Sequence, residues 1–413
     1  MDIIDRLCDP AAWREYYEYK TDAARFAIRE SRQLLSFIEN EEYLAPAERV
    51  LCALSGGELP LPHISEISKK GTDKKRRVFV YPRAESNVFK LIGYLLYEYD
   101  YLIADNVYSF RRGIGVRDAV GAVLSVPDLK GKYTYKADIH DYFNSVDTER
   151  MISILQSRLG EAEPRLVSLL SAVLRDTGAT FGGERISVRR GIMPGVAISG
   201  FLADLYLYEM DTWFAERGIA YLRYSDDIIV FADSEQQLSQ YESVITRFFA
   251  EYGLEINERK VERTHPGESF EYLGFSFTGK VIDIGRVSFE KLKAKMRRKA
   301  HSLVRWKNRR AEPPERAARA FIKHFNKKIF DNSDENELTW ALWYFPIIST
   351  ADTLEKIDAY AQECIRYVWY GRHSKANYRL RYADLKRLGY RNLKNAYYKF
   401  KEQRGEGRWK SEE

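Results

Sequence analysis

The chain has 413 residues, of which 45% are hydrophobic and 14% aromatic, and its formal net charge is +6. That length exceeds one hydrophobic core, so two or three subdomains are expected. No apolar run reaches membrane-spanning length and no signal-peptide pattern stands at Met1, which argues against membrane and secreted classes and predicts a cytoplasmic protein with no membrane partner. Cys8, Cys52 and Cys364 are widely spaced, show no metal-binding spacing and are expected to be free thiols.

Charge is distributed unevenly along the chain. Residues 281–413 carry 31 Lys and Arg against 17 Asp and Glu, a net +14, whereas residues 1–280 carry 35 against 43, a net −8. A basic C-terminal region on an acidic body predicts a polyanionic partner such as nucleic acid. A solvated, helix-rich surface is the alternative interpretation of the same charge.

Helices and two basic segments come first. Aromatic and apolar residues recur at helical spacing through the first 60 residues and predict packed helices. A basic run from Lys69 to Arg77 then leads into an apolar strand ending at Tyr81, and side-chain alternation places Lys75 and Arg77 on one face of it. A second basic segment, around Arg111, follows a helix predicted for residues 87–101. Taken alone, both segments are compatible with ordinary solvated loops.

Two strands lead to acidic residues. The strand Tyr133–Ile139 carries Asp138 near its end, and Phe143 follows five residues later at the start of a helix. Residues 220–224 and 228–231 read as the arms of a hairpin with Asp226 and Asp227 at its tip. Adjacent buried carboxylates repel each other and lose hydration, so a divalent cation would stabilise them. An acidic turn exposed to water is the alternative for an isolated Asp pair.

Three further segments surround these acids in the sequence. Residues 178–190 predict a short hairpin, and Gly191–Gly200 predicts a Gly/Pro-rich turn, in which glycine lets the backbone approach a flat ligand, followed by a helix. Ser234–Tyr252 predicts an amphipathic helix, and the residues after it predict a strand with Lys260 near its end. Phe270–Phe275 contains a Leu-Gly turn.

These segments, in this order and spacing, resemble a known family. Asp138 with Phe143, and the run Tyr224-Ser225-Asp226-Asp227, resemble the two acidic motifs of reverse transcriptases, most closely the bacterial group II intron, retron and defence-associated types. The resemblance extends from about residue 65 to 280. It implies an α+β right-hand polymerase, with a helical N-terminal extension at 1–65, fingers at 66–132, a palm with an antiparallel sheet and the catalytic acids at 133–280, and a helical, basic thumb or RNA-binding region at 281–413.

The resemblance also implies roles for individual residues. The catalytic residues would be Asp138, Asp226, Asp227 and Lys260, the lysine approaching the leaving pyrophosphate. Two Mg²⁺ ions, with Mn²⁺ as a substitute, would be held by Asp138, Asp226, Asp227 and the carbonyl of Ile139. The nucleotide would contact Lys75, Arg76, Arg77, Arg111, Phe143 and Ser199, with Phe143 excluding a 2′-hydroxyl. Primer and template would contact Gly191, Pro194, Gly195, Tyr224, Ser225, Leu273 and Gly274.

The expected function is RNA-directed DNA polymerisation by two-metal phosphoryl transfer. Met193-Pro194-Gly195 stands where intron-encoded enzymes usually have Pro-Gln-Gly, which points to divergent defence-type groups. The resemblance therefore implies a stand-alone bacterial enzyme in an anti-phage system that takes dNTPs, copies a structured noncoding RNA and holds an RNA/DNA duplex product. An untemplated or protein-primed DNA polymerase of the phage-exclusion type, and an RNA-binding maturase or scaffold, remain the alternatives.

Overall fold

The computed structural model describes residues 2–22, 28–68, 75–188, 191–330 and 339–404. Lys69, Lys70 and Lys74 of the first basic segment lie outside the described residues, as does Arg190 at the end of the short hairpin. The chain divides into two compact units, Met1–Glu268 and Ser269–Glu413. No helix among the described residues is long and apolar enough to cross a membrane.

Helices open the first unit, as the periodicity predicts. They are α1 (Ile3–Arg6), α2 (Pro10–Asp22), α3 (Ile28–Glu39) and α4 (Leu44–Leu51). They pack around Trp13, whose ring lies 5.5 Å from that of Phe37 and 5.2 Å from that of Tyr43. A 3₁₀ turn then ends at Gly56, whose φ of 77° is a left-handed conformation that glycine adopts without a Cβ clash.

The rest of the first unit alternates strands and helices. The strands are β1 (His63–Ser68), β2 (Lys75–Val80), β3 (Tyr133–Asp138), β4 (Gly178–Phe181), β5 (Glu184–Ser187), β6 (Tyr221–Tyr224), β7 (Asp227–Ala232) and β8 (Glu262–Thr264). The helices are α5 (Arg83–Leu95), α6 (Val116–Ser125), α7 (Tyr142–Ser145), α8 (Thr148–Leu159), α9 (Pro164–Arg175), α10 (Ser199–Tyr206), α11 (Tyr208–Glu216) and α12 (Glu235–Tyr252). The helix predicted for 87–101 continues past α5 as the 3₁₀ segment Leu96–Leu102.

Two sheets organise this unit. One has the strand order β2-β1-β4-β5, and the other has the order β6-β7-β3-β8 with every neighbour antiparallel. The second sheet is buried through β-branched and aromatic residues such as Tyr135, Ile228 and Val230, each with no exposed surface. The antiparallel sheet with its helices confirms the predicted α+β class.

The second unit is a small sheet followed by helices. Its strands are β9 (Phe270–Tyr272), β10 (Phe275–Thr278) and β11 (Val281–Ile284), in the order β11-β10-β9. Its helices are α13 (Arg286–Arg310), α14 (Pro314–Ile329), α15 (Trp340–Tyr344), α16 (Asp352–Tyr370), α17 (Tyr382–Arg387) and α18 (Leu393–Gln403). Lys307 of α13 donates to the carbonyls of Val368 and Trp369 at 2.7 and 2.8 Å, which satisfies the C-terminal end of α16.

Two local predictions were wrong. Asp227 is the first residue of β7 and pairs with Tyr224, so the hairpin turn consists of Ser225 and Asp226 only. The segment before Lys260 is not a strand: it makes one bridge at Ile256 and then a 3₁₀ turn, Glu258–Lys260. The amide of Asn257 bonds to the Asp138 carbonyl at 2.8 Å as part of that bridge, and the amide of Lys260 then bonds back to the Asn257 carbonyl at 2.8 Å and closes the turn. The three cysteines are free, as predicted.

Candidate active site

The three predicted acids meet at one end of the β6-β7-β3-β8 sheet. Asp138 at the end of β3 is paired in register with Asp227 at the start of β7. Asp226, in the turn before Asp227, accepts a hydrogen bond on its carbonyl from the amide of Ile139 at 3.1 Å. The sheet thus brings together two strand ends that are almost 90 residues apart in the chain, which periodicity alone did not specify.

Two of the carboxyl groups, those of Asp226 and Asp227, have raised pKa values. Burial, together with Asp226 and Asp138, raises the pKa of Asp227 to about 6. Burial and the charge of Asp138 also raise the pKa of Asp226. Both shifts show that negative charge is concentrated where desolvation is costly. A cation at this corner would relieve that cost.

Lys260 and Asn257 hold Asp138. The ammonium of Lys260 bonds to Asp138 Oδ2, and the Asn257 amide donates to Asp138 Oδ1 at 2.9 Å. Burial opposes the charge of Lys260, but its bond to Asp138 raises the lysine pKa on balance. Sequence analysis did not assign a role to Asn257. The available signal was a short polar side chain directly after Ile256 and three residues before Lys260.

The donor chemistry at this corner fits a divalent cation. Carboxylate oxygens and a backbone carbonyl are the ligands that Mg²⁺ and Mn²⁺ prefer. The bridge between Ile139 and Ile256 consists of two backbone bonds, one accepted by the Asp138 carbonyl and one donated by the His140 amide. The carbonyl of Ile139 takes no part in either bond. Within the described residues, no three His, Cys, Asp or Glu side chains are already arranged as a metal site. Lys260, bonded to Asp138, supplies the positive charge instead.

Two cavities adjoin the acids and share Arg76, Phe143 and Asp226. One, of about 550 Å³, is lined by Lys75, Arg76, Arg77, Asp138, Asn144 and Lys260 among others. The other, of about 640 Å³, is lined by Phe110, Phe143, Gly195, Ser199, Ser225 and Asp226 among others. The first is lined by both basic and acidic side chains, and the second is largely apolar.

Alternation along β2 separates the basic side chains. Lys75 and Arg77 both reach Glu66 on β1, at 2.7 and 3.5 Å, as their predicted common face requires. Arg76 points to the opposite side, with its guanidinium 5.7 Å from the centre of the Phe143 ring. Arg111 is turned to the backbone, where it donates to the carbonyls of Ala104 and Val107 at 3.3 and 3.2 Å.

The Gly/Pro-rich turn lies directly against the backbone of Phe143. The amide of Ile192 donates to the Phe143 carbonyl at 2.9 Å, and a Cβ on Gly191 would meet that same oxygen at 2.1 Å. The Pro194 carbonyl accepts a bond from β2, and Gly195 adopts a φ of 104°. Ser199 is buried and donates to the Met193 carbonyl at 2.6 Å. The turn therefore joins β2 to the wall of the cavity.

Phe110 is an aromatic wall residue that sequence analysis missed. Its φ of 50° is unfavourable for a residue with a Cβ, and 44% of its side chain is exposed. Its ring meets that of Phe143 edge to face at 6.1 Å. A Cβ on Gly200 would lie 2.6 Å from Phe110 Cγ, so Phe110 can occupy this place only because residue 200 is glycine.

A buried ionic network supports the hairpin turn from behind. Arg223 has no exposed surface and bonds to Asp211 at 2.5 Å, to the Asp204 carbonyl at 2.8 Å and to the Ser225 carbonyl at 3.2 Å. Ser109 Oγ donates to Asp204 Oδ1 at 2.6 Å and accepts from the Ser225 amide at 2.8 Å. Ser225 has a φ of 58°, a strained conformation that these bonds hold.

The network contains two acids and one arginine. Burial raises the pKa of Asp204 to about 7, although Arg223 and Ser109 act in the opposite direction. Asp204 Oδ2 has no hydrogen-bond partner among the described residues. The sequence carries two signals for this network, and neither led to a prediction. They are an acid in the largely apolar helix α10 and an arginine in the largely apolar strand β6.

The remaining predicted primer residues belong to two different units. Tyr224 pairs with Asp227 in the hairpin, next to Ser225. Leu273 and Gly274 belong to the second unit, where they form the turn between β9 and β10 with φ values of 51° and 85°. Positive φ at both central residues is the type I′ conformation that suits a tight hairpin.

Comparison with known proteins places these motifs in a family. A model described as "Reverse transcriptase (RNA-dependent DNA polymerase)" matches residues 67–277. Retron Ec86 reverse transcriptase from Escherichia coli is 23% identical over 239 residues, which are 56% of this chain and 68% of that protein.

Telomerase structures are also similar, at low identity. Telomerase from Candida albicans in complex with a TWJ fragment of telomeric RNA is 10% identical with a TM-score of 0.45, over 86% of this chain and 71% of that one. Apo telomerase from Candida tropicalis is 12% identical with a TM-score of 0.46, over 81% and 60%. A C-terminally truncated form of the latter is matched over 55% of each chain, with a TM-score of 0.44. Likeness at this level supports no argument about function.

Proposed function

Because the chain belongs to the reverse transcriptase family of RNA-directed DNA polymerases, we propose that it copies a structured noncoding RNA into DNA at the acidic corner. The observation that carries the proposal is the register of β3 and β7, which sets Asp138 opposite Asp227. Asp226 lies beside them in the turn between β6 and β7. This corner lines a cavity of about 550 Å³, large enough for a nucleotide, whose other lining residues include Lys75, Arg76 and Arg77.

Two divalent cations, Mg²⁺ or Mn²⁺, would be held by Asp138, Asp226, Asp227 and the Ile139 carbonyl. When bound, such ions activate a 3′-hydroxyl and stabilise the leaving pyrophosphate. The protein's own contribution is to fix the acids on strand ends, so that little reorganisation is needed. The raised pKa values of Asp226 and Asp227 support cation binding, because a bound cation would favour their ionised forms.

Basic residues around the cavity would bind the triphosphate. Lys75, Arg76 and Arg77 all line the cavity that contains Asp138. Arg76 is the most favourably directed of them, because it lies over Phe143 while Lys75 and Arg77 turn to Glu66. Lys260, which keeps its proton while it faces the acids, would donate that proton to the leaving pyrophosphate.

Phe143 would select the sugar. Its ring lies between Arg76 and the edge of Phe110, on the wall shared by both cavities. A 2′-hydroxyl directed at this ring would clash with it and lose its hydrogen bonds with water. The Gly191–Ser199 turn, which packs on Phe143, would seat the template and the new base pair.

The polymerase divisions follow from the family. Residues 66–132 would be the fingers, 133–280 the palm and 281–413 the thumb, with 1–65 as an N-terminal extension. Leu273 and Gly274 would contact the primer, together with Tyr224 and Ser225. The net charge of +14 over residues 281–413 supports a duplex-binding role for that region. A retron-like or other defence system is the proposed setting, on the strength of the Met193-Pro194-Gly195 variant.

Sequencing of the nucleic acid that co-purifies with the chain tests the proposal. Wild-type protein should carry one defined RNA with DNA complementary to it, and the Asp226→Ala/Asp227→Ala variant should carry the RNA alone. Asp233→Ala is a matched control at the other end of the same strand, where the acid is 73% exposed, and it should behave as wild type. DNA without an RNA complement would favour untemplated synthesis, and RNA without DNA in both proteins would favour a maturase or scaffold.

A further inference from the structure

A small aromatic cavity lies on the first unit, outside the residues assigned to catalysis. Its volume is about 190 Å³. The residues that line it are Tyr16, Tyr19, Lys20, Lys90, Gly93, Tyr94, Tyr97 and Ala197. It therefore joins the N-terminal helix α2, the helix α5 with the 3₁₀ segment after it, and the Gly/Pro-rich turn before α10.

The tyrosine rings form a tilted set rather than a flat stack. Tyr19 lies 5.0 Å from Tyr94 at 36°, and 6.1 Å from Tyr97 at 63°. Tyr94 and Tyr97 are nearly perpendicular, with centroids 6.4 Å apart. Arg112 adds a cation over Tyr19 at 5.1 Å and over Tyr94 at 5.8 Å. Aromatic faces bordered by lysine and arginine are the surface that single-stranded nucleic acid contacts by stacking and phosphate binding.

The cavity adjoins the large cavity beside the acids. Gly93, Tyr97 and Ala197 line it and also line the 640 Å³ cavity that contains Phe143, Ser225 and Asp226. A Cβ on Gly93 would lie 3.1 Å from the Ala197 carbonyl, so the wall between the two cavities is backbone in contact with backbone. A strand that leaves the large cavity over this wall reaches the tyrosines within a short distance.

We infer that this tyrosine cavity holds an unstacked base of single-stranded template RNA, on the 5′ side of the base being copied. The inference rests on the proposed function, which places the templating base in the large cavity. The template is single-stranded there because it has not yet been copied, and a single-stranded base can leave the stack and place its faces against aromatic side chains. A volume of about 190 Å³ suits one ring system and is below the range of sites for larger ligands. The site tolerates any base, since every base has an aromatic face.

Fluorescence of a template base tests this placement. A primer–template duplex carries 2-aminopurine in its 5′ overhang, at the second or third unpaired template position, and the signal is measured on binding to the full-length protein. Stacking on tyrosine should quench the signal in wild type, and Tyr19→Leu should restore most of it. Affinity should also rise on the order of tenfold when the overhang grows from one to three nucleotides. Tyr19→Leu should lose that increase.

Two further variants keep the test decisive. Lys90→Ala removes an exposed cation and should weaken the benefit of the longer overhang without affecting folding. Tyr101→Leu changes a tyrosine that is 72% exposed and outside the cavity lining, and it should behave as wild type. Wild-type affinity independent of overhang length, or quenching that Tyr19→Leu leaves intact, would overturn the inference. Extension by one dNTP on a one-nucleotide overhang reports the proposed function separately, and its absence in wild type would contradict that function instead.

Discussion

Asp204 should make the protein less stable as the pH rises through neutrality. This carboxyl is completely buried behind the Ser225–Asp226 turn, and burial raises its pKa to about 7, against 3.8 for the free side chain. A carboxyl with a raised folded pKa binds its proton more tightly in the folded state. Its stabilising contribution is therefore complete below pH 3.8 and is lost as the pH rises through 7.

The size of the effect follows from the two pKa values. Between pH 5 and pH 8 the linkage relation gives a loss of roughly 2 to 3 kcal/mol from this one group. Asp204→Asn removes the titration and leaves an oxygen that can accept the bond from Ser109. Between pH 5 and pH 8 the unfolding free energy of the variant should therefore fall by roughly 2 to 3 kcal/mol less than that of wild type. Asp226 and Asp227 titrate in both proteins and cancel in the difference.

Urea unfolding at pH 5, 6, 7 and 8 without divalent cations measures this difference. The transition of the first unit is followed, because a chain with two compact units need not unfold in one step. Glu161→Gln, at an exposed position, is the matched control and should retain the wild-type slope. An Asp204→Asn variant with the wild-type slope would refute the reasoning, since it would mean that Asp204 does not change protonation in this range.

Three further substitutions test the site. Lys260→Met should lower kcat for primer extension on the order of 100-fold, because the proton donor is lost while the three aspartates remain. Phe143→Val should raise ribonucleotide use relative to deoxynucleotide use on the order of 100-fold, measured as the ratio of kcat/KM values. Gly200→Ala should displace the Phe110 ring, which costs about 1 to 3 kcal/mol of stability and relaxes the same sugar discrimination. Gly121→Ala, in helix α6 with open space around it, is the control and should stabilise slightly.

The acidic corner could be predicted because its signals are local. Short runs rich in aromatic or β-branched residues on either side of Asp226 and Asp227 specify a hairpin, and the run before Asp138 specifies a strand. The register between β3 and β7 could not be predicted, because it depends on how two strands that are distant in sequence bury their faces together. The error at Lys260 has a similar origin, since the bond from Asn257 to the Asp138 carbonyl is a tertiary contact.

The supporting network is the part that sequence reasoning could not assemble. Ser109, Asp204 and Arg223 come from three segments, and each is an ordinary residue when its segment is read alone. What makes them a unit is burial: Arg223 pairs with the buried Asp211 and bonds to the Asp204 carbonyl, and Ser109 bonds to the Asp204 carboxyl. Phe110 was missed for a related reason: the position of its ring depends on the absence of a Cβ at Gly200, a residue 90 positions away in the chain.

Lys260 and a divalent cation should compete for Asp138. Both oxygens of this carboxylate already have partners, Lys260 on Oδ2 and Asn257 on Oδ1. Asn257 is fixed by its backbone bond to β3, whereas the Lys260 side chain is 53% exposed and can move away from Asp138 at a smaller cost. Lys260→Met should therefore bind Mg²⁺ more tightly in the absence of nucleotide, seen as a larger rise in Tm at limiting Mg²⁺, even though turnover falls. Weaker Mg²⁺ binding by this variant would show that the lysine assists the ion rather than occupying its place.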